Sequence, residues 1–116
     1  MIVNANIILA KCSSDNELYG MRVEERNGDW FRTWAFKIKE EMARREGFDR
    51  AVLSGNFYAD EDYPGCPYCG GSDFTVCGAC KKITCYRGGE TNTCRWCGKV
   101  LRVVEADKLD VTGGDF

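Results

Sequence analysis

Eight cysteines and no histidine define the chemistry that this 116-residue chain can perform. Seven of the cysteines lie close together as three Cys-x-x-Cys pairs and one single residue, and the eighth stands apart near the start: Cys66/Cys69, Cys77/Cys80, Cys94/Cys97, Cys85 and Cys12. Paired thiolates at this spacing bind metal ions or exchange disulfides. The absence of histidine excludes Ser-His-Asp hydrolases, Cys-His proteases and mixed Cys/His zinc sites. Any metal site must therefore consist of thiolates, with a carboxylate as the other available ligand.

Glycine follows the first and last pairs at Gly70 and Gly98, which is the zinc-knuckle pattern Cys-x-x-Cys-Gly. Glycine accepts the positive φ of a tight turn that points backbone amides at the sulfurs. The pattern predicts at least one structural Zn²⁺ and leaves room for a second. The expected metal ligands are seven cysteines: Cys66, Cys69, Cys77, Cys80, Cys85, Cys94 and Cys97.

The spacing permits two pairings of these thiolates. Cys66/Cys69 can join Cys94/Cys97 as in a zinc ribbon, or Cys77/Cys80 can join Cys94/Cys97 across Cys85. Either pairing leaves three sulfurs over, so a second ion needs a fourth ligand such as Cys12 or a nearby Asp or Glu. For Cys12 we favour a simpler role as a small buried apolar residue, and for Cys85 ligation and burial are equally supported.

The tetrapeptide Cys66-Pro67-Tyr68-Cys69 matches the active site of glutaredoxins. A redox Cys-x-x-Cys needs a helix N-terminus to lower its thiol pKa, whereas Gly70-Gly71 follows here. We therefore expect structural thiolates and no enzyme. The chain opens without a basic segment and has no apolar run long enough to span a bilayer, so we expect no signal peptide, no membrane partner and a reducing, cytoplasmic location.

Charge is unevenly distributed along the chain. Residues 66–104 hold two acidic residues and six basic ones, namely Lys81, Lys82, Arg87, Arg95, Lys99 and Arg102. Because four thiolates around one Zn²⁺ carry a net charge of about −2, this basic excess largely compensates for the metal sites. Phosphate contacts by the same six side chains define an alternative, a nucleic-acid-binding zinc ribbon.

Patterning predicts a small α+β fold. Residues 1–62 form a β-β-α-β-type antiparallel sheet segment, residues 63–104 a zinc-ribbon-like Cys-rich lobe, and residues 105–116 a disordered acidic tail. The expected elements are strands over 2–10, 19–25, 29–36, 51–58, 74–77, 83–87 and 100–104, and a helix over 37–46 that Gly47 ends. Asn27-Gly28 marks a hairpin turn, after which Trp30, Arg32, Trp34 and Phe36 are expected to share one face.

Five short segments together resemble the TerY C-terminal metal-binding domain. They are Leu18-Tyr19-Gly20-Met21, Trp34-Ala35-Phe36, Arg45-Glu46-Gly47, Tyr63-Pro64-Gly65-Cys66-Pro67-Tyr68-Cys69-Gly70 and Cys94-Arg95-Trp96-Cys97-Gly98, and they span roughly Leu18 to Val100. The resemblance implies a zinc-ribbon-like, non-catalytic module whose metal ligands are the seven clustered cysteines. It also implies protein partners, namely the von Willebrand factor A domain, kinase and phosphatase proteins linked to bacterial tellurite-resistance and stress clusters. The von Willebrand factor A sequence itself does not occur in this chain.

These observations favour a metal-stabilised protein-interaction module in a tellurite-resistance or stress-associated complex. A nucleic-acid-binding zinc ribbon is the alternative, and a thiol oxidoreductase is less favoured. Trp96 and Tyr68 lie inside knuckle loops, where they either contact a partner or pack between the knuckles.

Overall fold

A computed structural model describes residues 4–48, 52–104 and 109–112. The described residues are mostly strands with one short helix, which fits an α+β class loosely. In chain order the elements are β1 (Asn4–Lys11), β2 (Leu18–Arg26), β3 (Asp29–Lys37), α1 (Glu40–Arg45), β4 (Val52–Gly55), β5 (Phe57–Ala59), β6 (Asp73–Val76), β7 (Ile83–Tyr86), β8 (Thr91–Thr93), β9 (Val100–Arg102) and β10 (Leu109–Thr112).

Six strands form one sheet in the order β5-β3-β2-β1-β7-β6. Neighbours pair antiparallel except at β3–β5 and β1–β7, which are parallel. The pairs β4–β10 and β8–β9 form two small separate sheets. Because β1 pairs with β7, strands from residues 1–62 and from the Cys-rich residues 63–104 belong to one continuous sheet.

The β2–β3 hairpin confirms the turn expected at Asn27-Gly28. Both residues have the positive φ of a tight hairpin turn, 54° and 87°. The expected alternation along β3 is wrong beyond Arg32, however. Arg22 pairs with Trp34 while Val23 pairs with Arg32, so Thr33 is an extra residue that forms a β-bulge.

The bulge reverses which side chains face the core. Trp30, Arg32 and Ala35 are buried, whereas Trp34 is 53% exposed and does not share their face. The Thr33 hydroxyl holds this irregularity, since it accepts a hydrogen bond from the Arg22 guanidinium at 2.9 Å and donates one to the Arg22 carbonyl at 3.2 Å.

The six-stranded sheet curls until its two edge strands approach each other. The rings of Phe57 on β5 and Phe74 on β6 meet edge to face with centroids 6.1 Å apart. Arg32 on β3 donates a 2.7 Å hydrogen bond to the Ser72 carbonyl, just before β6. The concave face holds the main core, which includes Ile8, Met21, Val23, Trp30, Ile83 and Val111.

A smaller apolar cluster lies on the other face of the sheet. Leu9 and Leu18 pack there against Ala43 of α1. The helix is shorter than the expected 37–46, and it ends with Gly47 at φ 75° as the sequence predicts. Its buried residue is Ala43, while Met42 is half exposed.

Two further expectations are wrong. The single strand expected over 51–58 is two strands, because Gly55 at φ 137° breaks the chain direction and sends β4 and β5 to different sheets. Within the tail expected to be disordered, Leu109–Thr112 forms β10 and pairs with β4. The rest of that tail, residues 105–108 and 113–116, lies outside the described residues.

Candidate metal centres

The eight cysteine sulfurs form two groups of four. Cys12, Cys66, Cys69 and Cys85 form the inner site, and Cys77, Cys80, Cys94 and Cys97 form the outer site. Within each group all four sulfur atoms lie within 4.8 Å of one another. Each group could therefore hold a metal ion.

Sulfur spacing tests whether one ion fits each group. Cys69 and Cys85 sulfurs lie 3.6 Å apart in the inner site. In the outer site, Cys77–Cys97 and Cys80–Cys94 are 3.7 and 3.6 Å apart. Tetrahedral Zn²⁺ with Zn–S bonds of about 2.3 Å separates its sulfurs by about 3.8 Å. All eight cysteines are free thiols at distances far beyond a disulfide bond of about 2.05 Å, so the spacing fits a shared ion.

A tight turn orients the two cysteines of each Cys-x-x-Cys pair. In each Cys-x-x-Cys pair the first cysteine's carbonyl accepts a hydrogen bond from the residue four positions later, at 2.8–2.9 Å. That later residue has a positive φ in all three turns: Gly70, Lys81 and Gly98. Lys81 adopts the left-handed conformation although it is not glycine. The Cys77/Cys80 pair therefore forms a knuckle without the Cys-x-x-Cys-Gly pattern in its sequence.

Backbone amides within these turns point at sulfur. Burial raises the pKa of the Cys77 thiol, but hydrogen bonds from the Cys80 and Ala79 amides, with neighbouring thiols, outweigh this and lower it to about 7. At Cys69 burial is likewise outweighed, by the Gly71 amide and the surrounding thiols, and the net pKa is lowered. Such amide contacts stabilise thiolates, the form that binds metal.

Three further thiols hold their protons more tightly than a free cysteine does. Burial raises the pKa of Cys66 and Cys85, and burial together with the neighbouring thiols Cys94 and Cys77 raises the pKa of Cys80 to about 12. Four negative charges at these distances repel one another, so protons remain until a cation replaces them. A divalent cation that binds either site therefore releases protons.

Sheet pairing positions the inner site. The parallel register of β1 and β7 pairs Lys11 with Thr84, which places the next residues, Cys12 and Cys85, side by side. The knuckle that begins at Cys66 supplies the other two sulfurs. Three of the four inner cysteines are buried in the main core, so this site ties the sheet to the Cys-rich region.

The outer site lies farther towards the surface. Cys77 and Cys80 follow β6, and Cys94 and Cys97 lie between β8 and β9. Cys77 and Cys94 are fully buried, but Cys97 is exposed to solvent. The two sites thus combine the same ligand chemistry with different access from solvent.

All seven predicted cysteines lie in these two groups. The pairing of Cys77/Cys80 with Cys94/Cys97 is the one that forms, and the zinc-ribbon pairing of Cys66/Cys69 with Cys94/Cys97 is wrong. Cys12 is buried in the main core, as expected from the sequence, and its sulfur also completes the inner group. An odd number of sulfurs in the Cys-rich region was the signal that an eighth ligand must come from elsewhere.

Trp96 and Tyr68, which were candidates for partner contact, serve the fold. The Trp96 indole donates a 2.8 Å hydrogen bond to the Ile83 carbonyl, and its ring lies beneath the Lys11 ammonium at 4.6 Å. The Tyr68 hydroxyl donates to the Leu18 carbonyl at 2.8 Å. Both rings pack between a knuckle and the sheet.

Two of the six basic side chains bind the chain segment that follows Cys12. Arg95 donates to the Ser13 carbonyl, and Arg87 donates to the Ser14 hydroxyl at 3.2 Å. Lys82 lies over the Trp96 ring at 5.2 Å. Three of the six basic side chains are thus engaged within the fold, next to the sites whose charge they balance.

No family model, no curated protein and no solved structure matches this chain. Among the described residues, no helix is long and apolar enough to cross a membrane.

Proposed function

We propose that this protein is a zinc-binding, non-catalytic interaction module that holds two structural Zn²⁺ ions. The observation that carries the proposal is the presence of two complete four-sulfur groups with the spacing of tetrahedral coordination. Eight free thiols in such groups also favour a reducing compartment such as the cytoplasm.

Zinc accounts for these sites better than iron–sulfur clusters. Each group places its sulfurs within 4.8 Å of one another, which suits one central ion and leaves no space for a multi-iron core. Zinc with four protein ligands has no open coordination position, and such closed sites are structural. This supports a role without catalysis.

Metal at the inner site would stabilise the fold directly. The bound ion would join β1, β7 and the Cys66 knuckle, three segments that are distant in sequence. Structural zinc contributes on the order of 10 kcal/mol to small domains. For a chain of 116 residues with a modest core, that contribution is comparable to the whole stability of a typical domain.

The interaction role is supported by the sequence resemblance to the TerY C-terminal domain and by the compensated charge of the Cys-rich region. On this proposal the partners are proteins of a tellurite-resistance or stress complex, such as those with von Willebrand factor A, kinase or phosphatase domains. A pull-down with purified candidate partners, using zinc-loaded and chelator-treated protein, tests it. Binding that does not depend on zinc loading, or no binding at all, contradicts this assignment.

Nucleic-acid binding is the second candidate, and one observation favours it. Lys81, Lys99 and Arg102 are exposed in the region of the outer site. Titration with random DNA and RNA at several salt concentrations distinguishes the two functions, because phosphate contacts produce a steep salt dependence. A steep fall of affinity with salt concentration would contradict the protein-interaction role and support nucleic-acid binding.

Metal content is the decisive measurement for the proposal as a whole. Native mass spectrometry and elemental analysis of protein purified without added metal should give two zinc ions per chain and no reactive thiol in the native state. A folded protein with neither zinc nor any other metal would contradict the proposal. Two iron ions per chain would support the two metal sites but contradict their assignment as structural zinc sites.

A further inference from the structure

The segment that follows Cys12 has the backbone geometry of the three Cys-x-x-Cys knuckles. The Cys12 amide donates to the Glu17 carbonyl at 2.9 Å, and the Asn16 amide donates to the Cys12 carbonyl at 2.9 Å. In the knuckle that begins at Cys66, the same two hydrogen bonds join positions with the same offsets, at 2.8 Å each. Both bonds recur in the knuckles that begin at Cys77 and Cys94.

The left-handed residue occurs at the same offset as well. Asn16, four positions after Cys12, has φ 64°. The corresponding residues of the other knuckles are Gly70, Lys81 and Gly98, with φ between 63° and 82°. Asparagine is the non-glycine residue that adopts this conformation most readily, since its side chain can hydrogen-bond locally.

The contacts to the ligand atoms also agree. The Ser14 amide points at the sulfur of Cys12, two positions before it, at a distance of 3.4 Å. In the knuckle that begins at Cys66, the Tyr68 amide likewise points at the sulfur of Cys66, two positions before it. In the other knuckles the amide five positions after the first cysteine points at the second cysteine's sulfur, for example Gly71 at Cys69.

In the Cys12 turn the residue at the second-cysteine position is Asp15. The amide five positions after Cys12, that of Glu17, donates to the Asp15 carboxylate at 3.0 Å. The carboxylate thus accepts the hydrogen bond that a thiolate accepts in the other three turns. Cys85 supplies the fourth inner sulfur instead, and it accepts the Ser13 amide at 3.1 Å.

We propose that residues 12–17 are a fourth metal-binding knuckle, in which Asp15 stands where the other three knuckles have their second cysteine. This rests on the zinc-binding function proposed above. Position 15 corresponds to the second ligand position of the other three knuckles. Cys85 of β7 supplies the thiolate that this turn lacks, so the inner site has its four sulfurs without Asp15. A cysteine at position 15 should therefore complete the inner site when Cys85 is absent.

The test is a ligand-transfer experiment in the full chain. Cys85→Ala should reduce bound zinc from two ions to one per chain. Cys85→Ala with Asp15→Cys should restore two. Co²⁺ loading provides a second measurement, because the sulfur-to-cobalt absorption should fall with Cys85→Ala and return to that of two four-thiolate sites in the double variant.

Two matched variants separate a ligand position from a general effect of thiols or of charge. Cys85→Ala with Ser14→Cys adds a thiol one residue away, and it should hold one zinc. Cys85→Ala with Asp15→Ser removes the carboxylate without adding a thiol, and it should also hold one. Restoration by the Ser14 variant, or by both controls, would contradict the proposal.

Folding failure is also decisive. If Cys85→Ala does not fold but the variant that also carries Asp15→Cys folds with two zinc ions, the proposal is supported. If both fail while Asp15→Cys alone folds, position 15 is not a ligand position. Wild-type protein that binds no metal would contradict the zinc function itself, so the two failures are distinguishable.

Discussion

The amide nitrogen of Ser13 lies 3.1 Å from the sulfur of Cys85, although 72 residues separate them in sequence. The contact exists because β1 and β7 pair in parallel with Lys11 opposite Thr84, so the chain leaves β1 beside Cys85. It shows why the inner site cannot form from the Cys-rich residues alone. One ligand, Cys12, and the Ser13 amide that stabilises another come from the segment directly after β1.

Loss of Cys12 tests this dependence. Cys12→Ala should lower bound zinc from two ions to one and lower the stability of the protein by several kcal/mol, because structural zinc contributes on the order of 10 kcal/mol. Native mass spectrometry and thermal unfolding measure the two effects. Cys97→Ala is the matched control: it should also lose one zinc, but with a smaller fall in Tm, since Cys97 is exposed and the inner site lies in the main core. Two zinc ions retained in Cys12→Ala would contradict a role in the inner site.

The two sites should release their metal at different rates. Cys97 is exposed, whereas three of the four inner cysteines are buried. Excess chelator with a thiol-alkylating reagent should therefore remove one zinc quickly and the second slowly, with early modification confined to the four outer cysteines. Mass spectrometry of peptides at successive times identifies the modified residues. Simultaneous modification of both groups would mean that the sites open together.

Zinc affinity should increase with pH. At pH 7 the outer site retains protons, since burial and neighbouring thiols raise the pKa of Cys80 to about 12. Each proton that Zn²⁺ displaces makes the Kd fall by about tenfold per pH unit. Competition with a chromophoric chelator at pH 6, 7 and 8 measures the slope. A Kd independent of pH would mean that the thiols are already ionised in the metal-free protein.

The shifted pKa values of Cys77 and Cys80 change the stability of the metal-free protein with pH in opposite directions. The lowered pKa of Cys77, about 7 against 9.0 when unfolded, stabilises the folded state above pH 9, and this contribution is lost as the pH falls through 7. The raised pKa of Cys80 stabilises it below pH 9, and that contribution is lost as the pH rises towards 12. Metal-free protein should therefore lose stability at both extremes of this range, which urea unfolding at pH 6, 9 and 11 can test.

Local residues made part of this structure predictable. The Asn27-Gly28 turn, the stop at Gly47 and the two Cys-x-x-Cys-Gly knuckles depend on neighbours in sequence, and they occur where the pattern places them. The Thr33 bulge and the partner of Cys12 could not be predicted in this way. Both depend on the register between strands, and the alternation of one strand does not contain that register.

Arg32 is a buried cation whose role is structural. It is 5% exposed, donates to the Ser72 carbonyl at 2.7 Å, and lies 4.9 and 4.6 Å from the rings of Tyr63 and Phe74. Arg32→Met should destabilise the zinc-loaded protein by about 3 kcal/mol, since a charged hydrogen bond and desolvated cation–π contacts are lost together.

Urea unfolding of the zinc-loaded protein measures this effect. Arg26→Met is the control, because Arg26 pairs with Glu24 and Asp60 at the surface and its loss should change stability much less. Equal destabilisation by the two variants would show that burial of Arg32 has no special importance. Zinc content should remain two in both.

Gly65 and Gly70 flank the Cys66 knuckle and should respond differently to alanine. Both have a positive φ, 84° and 78°. A Cβ at Gly65 would lie 2.7 Å from the Gly70 carbonyl oxygen and 2.9 Å from that of Gly71, whereas a Cβ at Gly70 would meet nothing within 4 Å. Gly70→Ala therefore bears only the cost of a left-handed alanine, about 1–2 kcal/mol, and should keep two zinc ions. Gly65→Ala must also displace rigid backbone of the knuckle, so it should weaken zinc binding at the inner site while leaving the outer site filled. Equal zinc retention in the two variants, measured by chelator competition, would show that the knuckle tolerates this displacement.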